Sequence, residues 1–316
     1  MDVTKVDLRG LEPGVPGWEE ARAMVTASMV AHGCVVVVYD ALSPELRRAL
    51  FDRALPELFA LPLDVKQRNV SSKGRFRGYL GQYPGMTYES VCVDDPNEEG
   101  NVHDFVNLLW PQGNHEFCDM VAPFAKNLLK LQQTVEKMTL EGLGVGEENI
   151  RSHLCSCSSY TLRLSHYGVP PDAESGVSMR AHRDFIMSTV IVQHDVEGLE
   201  VQAKNGSWLT ILPEPDTFTF VAGELFTVAT NGRVPACVHR VRTPSSRERF
   251  SMVFGCWSRE GAVVTAIDEL IDEDHPLMYN PCRSDKYIEF LYSEEGRDSG
   301  DPLKVFCGVD KGSSIN

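Results

Sequence analysis

Apolar residues recur at helical spacing from Trp18 to His32, with Trp18, Ala21, Met24, Val25 and Met29 on one stripe and Gly33 closing the run. Val35–Val38 is a short β-branched run, the pattern of a buried strand. Ser43 to Phe59 reads as a second helix, with Ser43 as N-cap and Pro44 at the first helical position. Residues 73–100 are rich in Gly, Pro and Asp and read as a loop. Glu116 to Leu143 carries the longest helical pattern, stopped by Gly144.

From Tyr160 the period changes. Short β-rich runs at Tyr160–Tyr167, Ile186–Gln193, Leu199–Ala203, Trp208–Ile211, Phe218–Val221 and Phe250–Cys256 are separated by turn residues. Asn205-Gly206 marks a hairpin and Asn231-Gly232 a tight turn. Cys155 and Cys157 alternate as packing thiols on an expected strand, and the C-terminal stretch reads as helical over Lys286–Glu294 and then frayed. The pattern predicts an α+β chain, mainly β, with a sandwich or barrel core flanked by helices from the N-terminal half.

Composition narrows the choices. The 316 residues are 42% hydrophobic and 24% charged, enough for a sizeable core in one large β-rich domain. Thirty basic against 45 acidic residues leave a net charge of −15. That balance argues against nucleic acid or an anionic membrane as partner, because no average attraction for phosphate exists. A small anionic ligand needs only one or two local cations. No apolar run reaches membrane-helix length, and the N-terminus has no cleavable signal pattern. Nine cysteines, odd in number and without a Cys-x-x-Cys pair, read as reduced thiols of a cytoplasmic protein. Nothing in the pattern sets the oligomeric state, and a homo-oligomer stays open.

The chemistry gathers in three motifs. His182-Arg183-Asp184 opens a strand-like run, and residues two apart on extended chain share a side. A third ligand must come from elsewhere, and His239, in Cys237-Val238-His239-Arg240-Val241, is the best candidate. Two histidines and one carboxylate on one face of an octahedron leave positions open for a cosubstrate and O2, the arrangement of non-haem iron(II) oxygenases. Ten residues after His239 comes Arg249-Phe250-Ser251, where a guanidinium and a hydroxyl share a face and can grip a carboxylate. His103, His153, His166 and His194 have no acid two residues on and read as structural histidines.

With these motifs the chain resembles the plant 2-oxoglutarate- and iron(II)-dependent dioxygenases. The likeness extends to Leu162-Arg163-Leu164-Ser165-His166-Tyr167, to Phe59-Ala60-Leu61-Pro62 with Lys66, and to Gly78-Tyr79. Ser165 stands where the family has Asn, and Gly33-Cys34-Val35 where it has Gly-Phe-Phe. The resemblance implies a distorted double-stranded β-helix, or jelly roll. It divides the chain into an N-terminal helical and mixed region (1–155), a catalytic core (156–262) and a C-terminal helical segment and tail (263–316). It also implies Fe(II) held by His182, Asp184 and His239, with 2-oxoglutarate as cosubstrate held by Arg249, Ser251 and Tyr167. O2 is then consumed, ascorbate is supportive, and substrate oxidation is coupled to release of succinate and CO2.

Trp110-Pro111-Gln112-Gly113-Asn114 with Phe117-Cys118 is similar to the branch that contains the glucosinolate side-chain enzymes and the auxin-oxidising dioxygenases, most like the latter. That implies indole-3-acetic acid as substrate and 2-oxindole-3-acetic acid as product. Phe254 and Trp257 are candidate walls for a flat ring and Arg163 a candidate cation, with Arg75 and Arg77, beside Phe76 and Tyr79, as rivals. The same chemistry on a gibberellin or glucosinolate, or a jelly roll that binds without catalysis, are the competing expectations.

Overall fold

The computed structural model describes residues 3–81, 87–156, 159–169, 176–243 and 247–309, with the side chains of Arg75 and Ser156 left out. The strands of the two main sheets are β1 (Lys5–Asp7), β2 (Cys34–Val38), β3 (Tyr88–Asp94), β4 (Ser159–Tyr167), β5 (Val177–His182), β6 (Ser188–Gln193), β7 (Leu199–Gln202), β8 (Trp208–Thr210), β9 (Thr217–Ala222), β10 (His239–Arg242) and β11 (Arg249–Trp257). They pair into a seven-stranded sheet, β1-β2-β9-β6-β11-β4-β3, and a four-stranded sheet, β5-β10-β7-β8. From β5 onward the chain alternates between the two sheets except at the β7-β8 hairpin, the winding of a jelly roll. The expected hairpin at Asn205-Gly206 joins antiparallel β7 and β8, with Gly206 at φ +84°.

Period-two alternation sorts the large sheet into two faces. Val190, Val192, Leu162, Leu164, Met252, Phe254 and Cys256 belong to the main apolar core, which includes the buried faces of helices Trp18–His32 and His115–Gly142. Their alternates on β4, β6 and β11 turn inward, toward the small sheet. Burial of the outer face against helices holds the sheet rigid, so the inner face is free to carry polar groups.

Helix Trp18–His32 ends as expected at Gly33, which is left-handed (φ +66°) and whose Cβ would stand 2.0 Å from the Pro235 carbonyl oxygen. The expected helix from Ser43 is capped by Ser43 but does not run uniformly. It passes through a π-helical turn, Ala49–Ala54, before Leu55–Phe59. Pro56 has no N–H to give to the Asp52 carbonyl, so the α-ladder is interrupted there. The loop-like stretch 73–100 holds β3 as an edge strand beside β4. Helices Asn101–Leu109, Glu147–Ser156 and Glu224–Ala229 join those expected. Cys155 is corrected from strand to the last turn of a helix, where it is exposed; Cys157 lies outside the described residues. The C-terminal stretch is less frayed than expected, with helices Ser284–Leu291, Glu294–Asp298 and Pro302–Cys307. No helix among the described residues is long and apolar enough to cross a membrane.

Tyr287 ties this C-terminal segment down, its hydroxyl donating to Glu224 Oε2 at 2.7 Å inside the protein. Burial pushes the Glu224 carboxyl up to about 7 from its ordinary 4.5. The folded state therefore holds this proton more tightly than the unfolded chain. Its contribution is complete below pH 4.5 and is lost as pH rises to about 7. Glu224→Gln removes the titration, so its melting temperature should fall less than that of the wild type between roughly pH 5 and pH 8. Thermal melts at the two pH values check this; equal falls would mean that Glu224 carries no such penalty.

Candidate functional site

His182 closes β5 and His239 opens β10, and the two are direct partners across the antiparallel pair. The register slips by one residue between His239/Val241, so β5 holds Arg180 and Ala181 against Arg240 alone. This bulge lets His182 share the inner face with Met179, three positions away. Asp184 follows on the turn into β6. The ring centroids of His182 and His239 lie 4.3 Å apart, and Asp184 Oδ1 is 3.6 Å from His182 Nε2 and 3.9 Å from His239 Nε2. One ligand atom from each residue falls within 4.8 Å of the others, a group able to hold a metal ion.

The surroundings orient these three atoms. His182 Nδ1 bonds the Arg180 carbonyl at 2.8 Å and His239 Nδ1 the Cys237 carbonyl at 3.2 Å. Both Nε2 atoms are thereby left as lone-pair donors. Thr189 Oγ1 donates to Asp184 Oδ2 at 2.6 Å, leaving Oδ1 for a metal. The turn itself is pinned by the Glu224 amide on the Asp184 carbonyl at 2.8 Å. Gly223 is needed there, since a Cβ would lie 1.9 Å from the Ile186 carbonyl oxygen. Burial and the neighbouring His182 hold His239 below its ordinary value, which keeps the imidazole neutral for ligation. Asp184 is held low by the two histidines against the opposing effect of burial.

Arg249 begins β11 opposite Tyr167 at the end of β4, and Ser251 lies opposite Ser165. Arg249 is 1% exposed. Its Nη2 donates to Gln193 Oε1 at 2.9 Å, while Nε and Nη1 are buried without a hydrogen-bond partner. The guanidinium lies 4.9 Å from the Tyr167 ring centroid, and no carboxylate among the described residues pairs with it. Burial works against its charge and pushes the Tyr167 phenol up to about 12. A buried cation with two free donors fits a carboxylate brought by a ligand. Gly198 makes room, since its Cβ would meet Arg249 Cδ and Nε at 3.0 Å.

The triad and this cation open into one cavity of about 490 Å³. Arg163, Ser165, Tyr167, Arg249, Ser251 and Trp257 all line it. Phe254 does not, and its expected place as a wall is corrected. It is fully buried in the main core against Tyr160, because it alternates with the inward-facing Arg249, Ser251, Val253, Gly255 and Trp257. Trp257 stands at the cavity with its Nε1 bonded to Thr161 Oγ1 at 2.9 Å and Phe185 edge-on at 5.5 Å. Arg163 is spent on the Ser90 hydroxyl at 2.8 Å, the Gly78 carbonyl at 3.2 Å and the Phe76 carbonyl. Arg77 pairs with Asp94 and stacks over Trp257, and the side chain of Arg75 lies outside the described residues.

Several groups had no signal in the sequence. Gln193 holds Arg249 while its own Nε2 donates to the Ile211 carbonyl at 2.9 Å. Thr189 steadies Asp184, and its inward parity with Ile191 and Gln193 was the one clue available. Phe76, Phe185 and Tyr292 come from separate stretches and meet at the cavity, Phe76 stacking on Tyr292 at 5.1 Å and lying 5.4 Å from Phe185.

A jelly roll that gathers two imidazoles, one carboxylate and a buried unpaired arginine around one cavity defines the site of a non-haem iron oxygenase with an anionic cosubstrate. Residues 158–257 match the 2OG-Fe(II) oxygenase superfamily, and residues 3–115 match the non-haem dioxygenase in morphine synthesis N-terminal family. AOP1.2 of Arabidopsis thaliana, named a probable 2-oxoglutarate-dependent dioxygenase, is 34% identical over 95% of this chain and 93% of its own. AOP3 of the same plant, a 2-oxoglutarate-dependent dioxygenase, is 27% identical over 96% of each chain. The crystal structure of the dioxygenase for auxin oxidation in rice superposes with a TM-score of 0.82 at 25% identity, covering 98% of this chain and all of that one. The chain belongs to the plant-type 2-oxoglutarate- and iron(II)-dependent dioxygenases, and is an oxidoreductase using Fe(II) and 2-oxoglutarate.

The Gln193–Arg249 contact yields a direct test. Gln193→Glu is isosteric but gives Arg249 a carboxylate of its own. The concentration of 2-oxoglutarate for half-maximal succinate release should rise roughly tenfold or more, with the fold retained by circular dichroism. An unchanged requirement would separate Arg249 from cosubstrate binding.

Proposed function

We propose that this enzyme oxidises indole-3-acetic acid to 2-oxindole-3-acetic acid, with succinate and CO2 as coproducts. The observation that carries the reading is the likeness, over essentially the whole of both chains, to the rice enzyme named for auxin oxidation. The cavity is compatible with it. Phe76, Phe185, Trp257 and Tyr292 present a continuous aromatic wall suited to a flat ring.

In this reading His182, Asp184 and His239 hold Fe(II). Arg249, Ser251 and Tyr167 would receive a carboxylate of 2-oxoglutarate. Bound iron supplies the O2 chemistry, coupling decarboxylation of 2-oxoglutarate to oxygen insertion at the indole ring. The residues of the chain do the rest. The aromatic wall orients the ring and excludes water, and the carbonyls of Arg180 and Cys237 keep both imidazoles in the ligating tautomer. Trp257, on the inward face of β11, serves as substrate wall. Arg163 acts by fastening the Phe76 stretch over the cavity.

A second reading, the same chemistry on another small plant metabolite, is favoured by the higher sequence identity to AOP1.2, 34% against 25% for the rice enzyme. Incubation with Fe(II), ascorbate, 2-oxoglutarate and indole-3-acetic acid, followed by mass spectrometry, decides. A product one oxygen heavier, absent with His182→Ala, is expected. Succinate release stimulated by other acids but not by indole-3-acetic acid would refute the auxin reading in favour of the second.

A further inference from the structure

We infer that Arg180 and Arg183, on either side of the iron-ligand position His182, form the receptor for a carboxylate on the organic substrate. The inference deepens the reading of the cavity as an oxygenase substrate site.

Among the described residues the cavity is lined by four arginines, Arg163, Arg180, Arg183 and Arg249. Two are committed. Arg249 lies fully buried at the end shared with Tyr167 and Ser251, and Arg163 is held by Phe76, Gly78 and Ser90. Arg180 and Arg183 remain. Both are exposed, and neither side chain makes a hydrogen bond or ion pair among the described residues. Arg183 acts at longer range on Glu224, whose carboxyl is already engaged by Tyr287, and on the Tyr279 phenol.

That is unusual in this chain. With 45 acidic residues against 30 basic, arginines such as Arg9, Arg53, Arg233, Arg240 and Arg283 have found carboxylates. Arg180 in the β5 bulge and Arg183 just past the end of that strand place two cations beside the iron ligands on a protein whose overall charge repels anions. Among the described residues the only acid lining the cavity is Asp184, which belongs to the metal group. An aromatic acid can lay its ring on Phe76, Phe185, Trp257 and Tyr292 and turn its carboxylate to the arginines. A neutral aromatic would gain the wall alone. The substrate class is therefore an aromatic monocarboxylate.

The test pairs each acid with its neutral amide. Indole-3-acetic acid with indole-3-acetamide, and phenylacetic, benzoic and cinnamic acids with their amides, are assayed by stimulated succinate release. The wild type and Arg180→Gln/Arg183→Gln are compared at saturating 2-oxoglutarate. The wild type should prefer acid over amide in kcat/KM. The double variant should lose that preference roughly tenfold or more, through KM for the acid, with the amide and the 2-oxoglutarate KM unchanged. Arg163→Gln should lower acid and amide alike. A double variant that keeps the acid preference overturns the receptor while leaving the auxin reading intact. A wild type that ignores indole-3-acetic acid but turns over another acid refutes the auxin reading alone, and that acid then carries the comparison. A wild type stimulated by no acid, or by amides equally, overturns the receptor.

Discussion

The structure depends on one pairing, His182 against His239 across β5 and β10. It brings together side chains that are far apart in sequence, and it works only because the rest of the fold leaves this inner face unfilled. The large sheet buries its other face against the helices, so Arg249, Ser251, Gln193 and Thr189 can sit on rigid strands without serving as packing. Each ligand is then aimed by one bond, from a backbone carbonyl for each histidine and from Thr189 for Asp184. Such bonds set the tautomer and the free lone pair before any metal arrives.

A second constraint follows at the far end of the cavity. A fully buried guanidinium with two unused donors costs stability unless a carboxylate meets it. Gln193 satisfies one nitrogen without neutralising the charge. The arrangement suits a ligand that arrives with its own negative charge and leaves changed. On a chain with a net charge of −15, local cations are decisive for any anion that enters the cavity.

Much of this was legible in the sequence, and the limits have physical causes. His182-x-Asp184, His239 and Arg249-x-Ser251 were legible because metal and carboxylate chemistry demands particular residue types at particular spacing. The sandwich was legible from the short alternating runs after Tyr160. Strands β5 and β10 were not, because metal ligands and cations replace the apolar alternation that marks a strand. The bulge at Arg180–Ala181 leaves no pattern at all. Phe254 was misplaced by a parity error: once Arg249 and Ser251 face inward, residue 254 must face the core. Arg163, expected as a cation for the substrate, lines the cavity, but its three acceptors come from the turn of Phe76 and Gly78 and from β3, in a stretch that read as loop. The aromatic wall joins segments more than two hundred residues apart, a contact that no local pattern encodes.

One iron and one 2-oxoglutarate are expected to share this site through separable groups of residues. Anaerobic calorimetry of Fe(II) and then 2-oxoglutarate binding, on the wild type, His239→Ala and Arg249→Met, tests it most directly. One Fe(II) per wild-type chain and one 2-oxoglutarate bound after it are expected. His239→Ala should lose the iron, and Arg249→Met should keep the iron but bind 2-oxoglutarate far more weakly. Iron bound undiminished by His239→Ala, or 2-oxoglutarate bound with equal affinity by Arg249→Met, would contradict it.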